Sequence, residues 1–197
     1  MDMKIIDAAM DYITELFRGD PGGHDAAHSL RVYKNALLIA QEEPPCDLLV
    51  VSLAALLHDA DDHKLFETKD NEHARAFLSA HHVTKTEEIV TAINAVSFSR
   101  NGDKRPDTPE GRIVQDADRL DAIGAVGIAR TFAYGGAHGR GLEESIDHFY
   151  DKLLLLKDRL NTPTARRLAG ERHEYMLAFL REYKKETLIN DGKGDAE

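Results

Sequence analysis

Apolar residues recur at helical spacing along almost the whole of this 197-residue chain, and this periodicity restricts the fold more than any other feature. Ile6, Ala9 and Ile13 show the pattern in the first segment. Alternation with the period of a β-strand never extends beyond a few residues, and the sequence has no internal repeat. The pattern predicts an all-α fold, built as a single-domain bundle of about eight helices.

Glycine and proline residues divide the chain into these predicted helices. The first helix ends near Gly19, the second ends before Pro44-Pro45, and the third is the apolar run that ends at Leu57. A glycine-rich loop is predicted at 134–141, and residues 190–197 are predicted to form a disordered tail after a domain that spans 1–189. The other predicted helices lie at about 71–81, 85–97, 113–120, 122–129, 142–160 and 164–189.

Composition excludes several classes of protein. The chain is long enough for one well-buried domain, and its net charge of -10 disfavours binding to nucleic-acid polymers or to anionic membranes. Cys46 is the single cysteine, which excludes an intramolecular disulfide and a thiolate metal cluster. Without a signal peptide or an apolar membrane span, the protein is expected to be cytoplasmic. Contact between copies of the chain through the last two helices is left open.

Histidine and aspartate residues are concentrated in three segments, and each segment adjoins an apolar helix: 24–28, 58–63 and 116–121. Packed in one bundle, their inward-facing members can meet at a common point. Carboxylates at the end of the third helix are unfavourable by up to about 1 kcal/mol each, so a bound cation is expected there. Two imidazoles with two or more carboxylates suit a divalent ion such as manganese, magnesium, iron, cobalt, nickel or zinc.

These segments, in this order, resemble the HD superfamily of metal-dependent phosphohydrolases, whose pattern is a histidine, a His-Asp pair and a distant aspartate. Gly23–Val32, Ala55–Asp59 and Asp116–Arg130 are similar to the small stand-alone bacterial YedJ-like group, over roughly residues 20–135. Ala26 stands where that group commonly has an aromatic residue, which indicates a wider substrate pocket. The resemblance implies an HD-type bundle that hydrolyses a phosphoester or phosphoanhydride bond of a nucleotide or similar small phosphorylated metabolite.

The resemblance also implies roles for individual residues. Asp118 is preferred as a ligand over Asp116 and Asp121 because Ala-Asp-Arg-Leu is the form of the family's final motif. Asp62 corresponds to an acidic residue that handles protons, and its spacing independently predicts that it shares a helix face with His58. The implied metal ligands are His28, His58, Asp59 and Asp118.

Basic side chains are expected to hold the phosphate group. Arg31 lies three residues after His28 and is suited to bidentate pairing with phosphate, although an ion pair that braces the second helix is an equal alternative. His24 and Arg130 are the other substrate-binding candidates.

Three further aspartates of the clusters have simpler interpretations. Asp61 is expected to be exposed to solvent. Asp116 and Asp121 are expected either to pair with Arg119 or to take part in catalysis.

Two other functions remain open at this stage. Some HD proteins are di-iron oxygenases in which additional histidines bind a second iron, and His81 or His82 is the candidate here. Aspartate at position 62, where a further histidine is expected, counts against that function. The second alternative is a non-catalytic nucleotide-binding sensor, which only a turnover measurement separates from an enzyme.

Overall fold

The chain is almost entirely helical in its computed structural model, which describes residues 3–18, 26–43, 45–63, 65–96, 101–102 and 104–187. Within these residues, nine α-helices and one 3-10 helix have described bounds, and no strand occurs among them. The predicted all-α class is confirmed, whereas the predicted tail at 190–197 lies outside the described residues. The helices are α1 (Met3–Leu16), α2 (Ala26–Glu42), α3 (Leu48–Leu57), α4 (Glu72–Ala80), α5 (Thr86–Val96), α6 (Pro109–Asp121), α7 (Gly124–Ala137), α8 (Leu142–Asp151), the 3-10 helix Leu153–Arg159 and α9 (Pro163–Thr187).

Helix α3 lies at the centre of the bundle because it is apolar on every side. All its residues from Val50 to Leu57 are buried, and α1, α2, α5 and α6 pack around it. A helix that is hydrophobic all round is stable only in an interior. Within the described part of the chain, no helix is both long and apolar enough to cross a membrane.

The start of α3 is fixed by its N-cap residue, Asp47. One carboxylate oxygen accepts the backbone N–H groups of Leu49 and Val50 at 2.9 and 3.2 Å, which satisfies donors that have no partner within the helix. The other oxygen pairs with the Lys85 ammonium group. This anchor fixes the start of α3. Because an α-helix rises by a constant distance per residue, the position of its last residue is fixed as well.

Helix α6 is joined to the start of α9 through a buried carboxylate. Asp116 is fully buried, and its oxygens accept the backbone N–H groups of Asn161 and Thr162, each at 2.8 Å. The side chains of both residues also donate to Asp116 at 2.8 Å. The last third of the chain therefore helps to hold α6 in place.

The structure corrects two of the predicted boundaries. Helix α7 continues to Ala137, so half of the predicted loop at 134–141 is helical. Gly135 does not form a turn but lets α7 pack closely against α8, because a Cβ atom on Gly135 would lie 2.5 Å from Ser145 Oγ.

The predicted helix at 142–160 is also interrupted, since α8 ends at Asp151 and Lys152 has φ -138° and ψ -56°. The 3-10 helix that follows places the buried residues Leu153 and Leu156 on one face, which matches its period of three.

Candidate metal centre

Three helices place the predicted metal ligands at one point of the bundle. His28 lies in the first turn of α2, His58 and Asp59 directly follow α3, and Asp118 lies in the last turn of α6. These three helices pack against one another. The structure thus brings together four side chains that span ninety positions of the sequence.

The donor atoms of His28, His58 and Asp118 all lie within 4.8 Å of one another, and an Asp59 oxygen adjoins both imidazoles. His28 Nε2 is 3.3 Å from His58 Nε2 and 3.3 Å from Asp118 Oδ1. It is 3.4 Å from Asp59 Oδ2, and the same oxygen lies 3.3 Å from His58 Nε2. Ligand atoms that surround one ion at about 2.1 Å are themselves about 3 to 3.5 Å apart. The donor set therefore fits a divalent metal ion.

Hydrogen bonding orients the His58 ring toward this point. His58 Nδ1 lies 2.9 Å from the carbonyl oxygen of Ala55. Because a carbonyl oxygen only accepts, Nδ1 carries the proton and Nε2 presents its lone pair to the other donors. Metal-ligating histidines commonly donate their second ring N–H to a carbonyl or carboxylate oxygen in this way.

Within the described part of the chain, the centre is exposed on the side of its carboxylates. The His28 and His58 side chains are 4% and 2% exposed, whereas those of Asp59 and Asp118 are 15% and 31% exposed. Solvent therefore reaches the centre from the carboxylate side. Room for water or substrate on a metal distinguishes catalytic sites from closed structural ones.

The four side chains also shift one another's protonation. Burial lowers the pKa of His28, but hydrogen bonds with three carboxylates outweigh burial and raise that pKa well above its ordinary value. Burial also lowers the pKa of His58, but Asp59 and Asp118 together outweigh burial, so that the net shift is upward. Burial raises the pKa of Asp118, but the hydrogen bond with His28 and the attraction of both histidines together outweigh burial, so that the net shift is downward. The site favours positive charge, which a metal cation supplies.

Asp121 contacts both of the arginines that were predicted to bind phosphate. Arg31 donates through Nε to Oδ1 at 2.7 Å and through Nη2 to Oδ2 at 3.0 Å, and Arg130 Nη1 donates to Oδ2 at 2.6 Å. The bracing ion pair considered for Arg31 is thus present, while about a third of each arginine side chain stays exposed. Arg119 donates to the carbonyl oxygens of Arg159 and Gly102. Both Asp116 and Asp121 have partners that the sequence interpretation missed.

Asp121 also lies against the metal centre, and sequence reasoning left this role undecided. Its Oδ2 is 2.8 Å from His28 Nδ1. The signal that could have revealed the contact is spacing, because Asp118 and Asp121 share a face of α6 as His28 and Arg31 share a face of α2.

Asp61 and Asp62 differ from their expected surroundings. Asp61 is 8% exposed and accepts the N–H groups of His73 and Ala74 at 2.9 and 3.0 Å, so it caps α4 and the expectation of a solvated side chain is wrong. Helix α3 ends at Leu57, so His58 and Asp62 lie beyond it. The prediction that these two residues share a helix face is therefore wrong. The Asp62 side chain is 13% exposed and lies 3.4 Å from His63 Nδ1.

Of the remaining histidine candidates, His81 and His82 are not part of the metal cluster found among the described residues. His24 lies outside the described residues. His81 packs its ring against Phe77 at 4.4 Å beyond the end of α4, and His82 is exposed in the following turn. Among the described residues, the cluster of side chains arranged to hold a metal is His28, His58 and Asp118, with ligand atoms within 4.8 Å of one another.

The HD domain sequence profile matches residues 25–123, which is just over half of the chain and contains all four candidate ligands. The chain belongs to the HD domain family. The resemblance seen in the sequence motifs is confirmed at this level, and membership of the YedJ-like group stays a prediction.

Two Bacillus proteins are similar to this HD-domain protein over most of their length. The uncharacterized protein YpgQ of Bacillus subtilis (strain 168) is 40% identical over 195 residues, which cover 94% of this chain and 95% of YpgQ. A crystal structure of YpgQ in complex with ADP has a TM-score of 0.81 at 39% identity, covering 93% of this chain and 98% of that one. A Bacillus thuringiensis HD-superfamily hydrolase has a TM-score of 0.78 at 36% identity, covering 94% and 98%.

Proposed function

We propose that this HD-domain protein is a metal-dependent phosphohydrolase that acts on a nucleotide or a similar small phosphorylated metabolite. The observation that carries the proposal is the convergence of two imidazole nitrogens and two carboxylate oxygens, mostly 3.3 to 3.4 Å apart, on a point open to solvent. His28, His58, Asp59 and Asp118 hold the ion. Mixed nitrogen and oxygen ligation is compatible with manganese, magnesium, iron, cobalt, nickel or zinc.

The side chains around the ion supply the remaining functions of a phosphohydrolase. A divalent ion bound here lowers the pKa of water and neutralises charge that develops on a phosphoryl oxygen. Arg31 and Arg130, whose side chains are about a third exposed, bind the phosphate oxygens, and His24 is a further substrate contact. Asp62 accepts the proton from the attacking water and delivers a proton to the leaving group.

A nucleotide is the proposed substrate class because of two features. The YpgQ crystal structure contains ADP, and YpgQ is similar to this chain over nearly its whole length. Arg31 and Arg130 also form a local basic patch beside the centre of a protein whose net charge is -10. A basic patch in an acidic protein favours a small anion that fits the site over a polymer that binds by charge alone.

Metal analysis followed by a screen for phosphate and pyrophosphate release tests the proposal. The expected result is one divalent ion per chain, with metal-dependent release from at least one nucleoside mono-, di- or triphosphate. Two irons per chain with oxygen consumption would identify an oxygenase instead. Tight nucleotide binding with no product released would identify a sensor.

The neighbouring residues Asp59 and Asp61 provide a matched pair of variants for the metal centre. Asp59→Asn removes a ligand charge, so the variant is expected to lose both bound metal and hydrolysis. Asp61→Asn keeps a side chain that can cap α4, so metal content and activity are expected to match those of the parent protein. Equal metal content in the two variants would remove Asp59 from the ligand set.

A further inference from the structure

We propose that Asp121 is a positioning residue that fixes the ring of His28 for metal binding and holds Arg31 and Arg130 beside the metal centre. This inference rests on the proposed function, because it assigns Asp121 a purpose only if the centre binds a metal. The four side chains come from three elements: α2 supplies His28 and Arg31, α6 supplies Asp121 and α7 supplies Arg130.

The geometry leaves Asp121 with partners on both of its oxygens. Oδ1 accepts Arg31 Nε at 2.7 Å, while Oδ2 lies 2.8 Å from His28 Nδ1 and 2.6 Å from Arg130 Nη1. The side chain is only 2% exposed, so water competes little for these positions. Burial raises the pKa of Asp121, but the hydrogen bonds from His28 and Arg31 outweigh burial and hold that pKa well below its ordinary value.

The contact with Asp121 determines which nitrogen of His28 carries a proton. Nδ1 lies 2.8 Å from Asp121 Oδ2 and 3.0 Å from Arg130 Nη1, and Arg130 Nη1 makes its shorter contact, at 2.6 Å, by donating to that same Asp121 oxygen. An unprotonated Nδ1 would point its lone pair at a carboxylate oxygen 2.8 Å away, which is repulsive. A protonated Nδ1 instead donates a charge-assisted hydrogen bond to Asp121. Nε2 then keeps its lone pair, and Nε2 is the atom that faces Asp59 and Asp118.

The same carboxylate balances charge next to the ion. Arg31 and Arg130 together carry two positive charges beside a site that must admit a divalent cation. Asp121 neutralises one of those charges, which reduces repulsion of the metal. A carboxylate at this position therefore favours metal binding in two ways, through the tautomer of His28 and through the local charge.

The variant Asp121→Asn tests the roles of Asp121 in the His28 tautomer and in the local charge. Because asparagine has nearly the same size and keeps one acceptor oxygen, the packing of α6 is expected to change little. The control is Asp116→Asn, which changes a second buried aspartate of the same helix whose contacts are with Asn161 and Thr162. Co²⁺ titration followed by absorbance measures metal affinity on protein that circular dichroism shows to be folded. Loss of a hydrogen bond to a metal-ligating histidine weakens metal binding by roughly 10- to 100-fold.

Asp121→Asn is therefore expected to bind Co²⁺ roughly 10- to 100-fold more weakly, and Asp116→Asn is expected to lose stability while its Co²⁺ affinity is unchanged. Long-range ¹H–¹⁵N spectra of the Zn²⁺-loaded parent protein are expected to show His28 protonated at Nδ1. With metal at saturation, inorganic phosphate is expected to bind Asp121→Asn several-fold more weakly, because Arg31 and Arg130 are no longer held together.

The outcomes distinguish this inference from the function on which it rests. If the parent protein binds Co²⁺ and Asp121→Asn binds it equally well, the positioning role is overturned and the proposed metal centre stands. Equal weakening in Asp116→Asn would also overturn it, since the effect would then reflect packing of α6. If the parent protein binds no divalent metal, the proposed function fails together with the inference.

Discussion

Asp59, Asp61 and Asp62 lie within four positions of one another, yet the turn after α3 directs their carboxylates to three different surroundings. Asp59 faces the imidazoles of the metal centre, Asp61 caps α4, and Asp62 lies beside His63. The residue type is identical in all three cases, so backbone geometry determines the chemistry available to each. At the scale of single residues, the end of α3 is therefore the decisive feature of this site.

Replacement of Asp62 by asparagine tests its proposed role in proton transfer. Asparagine cannot accept a proton from water, so kcat is expected to fall by roughly 10²- to 10⁴-fold. The content of bound metal is expected to stay the same, because Asp62 is not among the proposed ligands. Steady-state kinetics with metal analysis of the same preparation checks both expectations, and an unchanged kcat would exclude Asp62 as the proton carrier.

Helix α7 shows how a tight connection between two elements positions a side chain. Only two residues separate α6 from α7. Gly124 has φ +77°, a conformation that favours glycine, and a Cβ atom on Gly127 would lie 2.2 Å from the carbonyl oxygen of Ala122. This close approach fixes α7 against the end of α6, and thereby places Arg130 within reach of Asp121.

Alanine substitution at two glycines of α7 tests this connection. Gly127→Ala forces its new methyl group into the Ala122 backbone, so a loss of roughly 1 to 3 kcal/mol in the free energy of unfolding is expected. Gly136→Ala is the control, because nothing lies within 4 Å of its Cβ position and alanine favours a helix. Urea unfolding of both variants gives the comparison; equal stability of the two would contradict the close contact.

Two substitutions of Asp47, the N-cap residue of α3, separate the stability due to its ion pair from the stability due to its capping hydrogen bonds. Asp47→Asn keeps the capping oxygen but loses the charge that pairs with Lys85, whereas Asp47→Ala loses both and is expected to cost about 1 kcal/mol or more near neutral pH. The hydrogen bond from Lys85 lowers the pKa of Asp47. A lowered pKa contributes stability above the ordinary pKa of aspartate, and that stability is lost as the pH falls through the folded-state pKa.

The stability difference between the parent protein and Asp47→Asn is therefore expected to be constant near neutral pH and to shrink on acidification below about pH 4. Asp47→Ala is expected to remain less stable than the parent protein at every pH. Urea titrations at several pH values measure both curves. A difference between parent and Asp47→Asn that grows on acidification would contradict the assigned ion pair.

At the scale of the whole molecule, the sequence predicted the features that depend on the spacing of apolar residues. It left open the side-chain partners that depend on contact between distant segments. Apolar spacing was sufficient for the all-α class, because that class depends on the helical period alone. The contacts of Asp116 with residues 161–162 and of Asp121 with Arg130 join helices that pack only in the folded chain. Local spacing contains no information about which distant helix lies opposite, so these partners could not be predicted.

Metal binding is expected to stabilise the entire fold, because the proposed ligands join α2, α3 and α6. An ion present at 100 times its Kd adds about 2.7 kcal/mol to the free energy of unfolding, which corresponds to a rise in Tm of roughly 5 to 10 °C for a chain of this size. Thermal scans with added Co²⁺ and with a chelator measure the shift. Asp59→Asn is expected to show no shift, and an equal shift in that variant would place the ion elsewhere.

The buried carboxylate of Asp116 limits where this chain can be truncated and how its metal centre can be grafted. The segment that matches the HD domain ends at residue 123, yet Asn161 and Thr162, far beyond it, provide the donors that surround a carboxylate two positions before Asp118. A chain truncated at the family boundary would keep every candidate ligand but lose the four hydrogen bonds from residues 161–162 that hold the Asp116 carboxylate in α6. A graft of this metal centre onto another scaffold must therefore carry residues 161–162 as well.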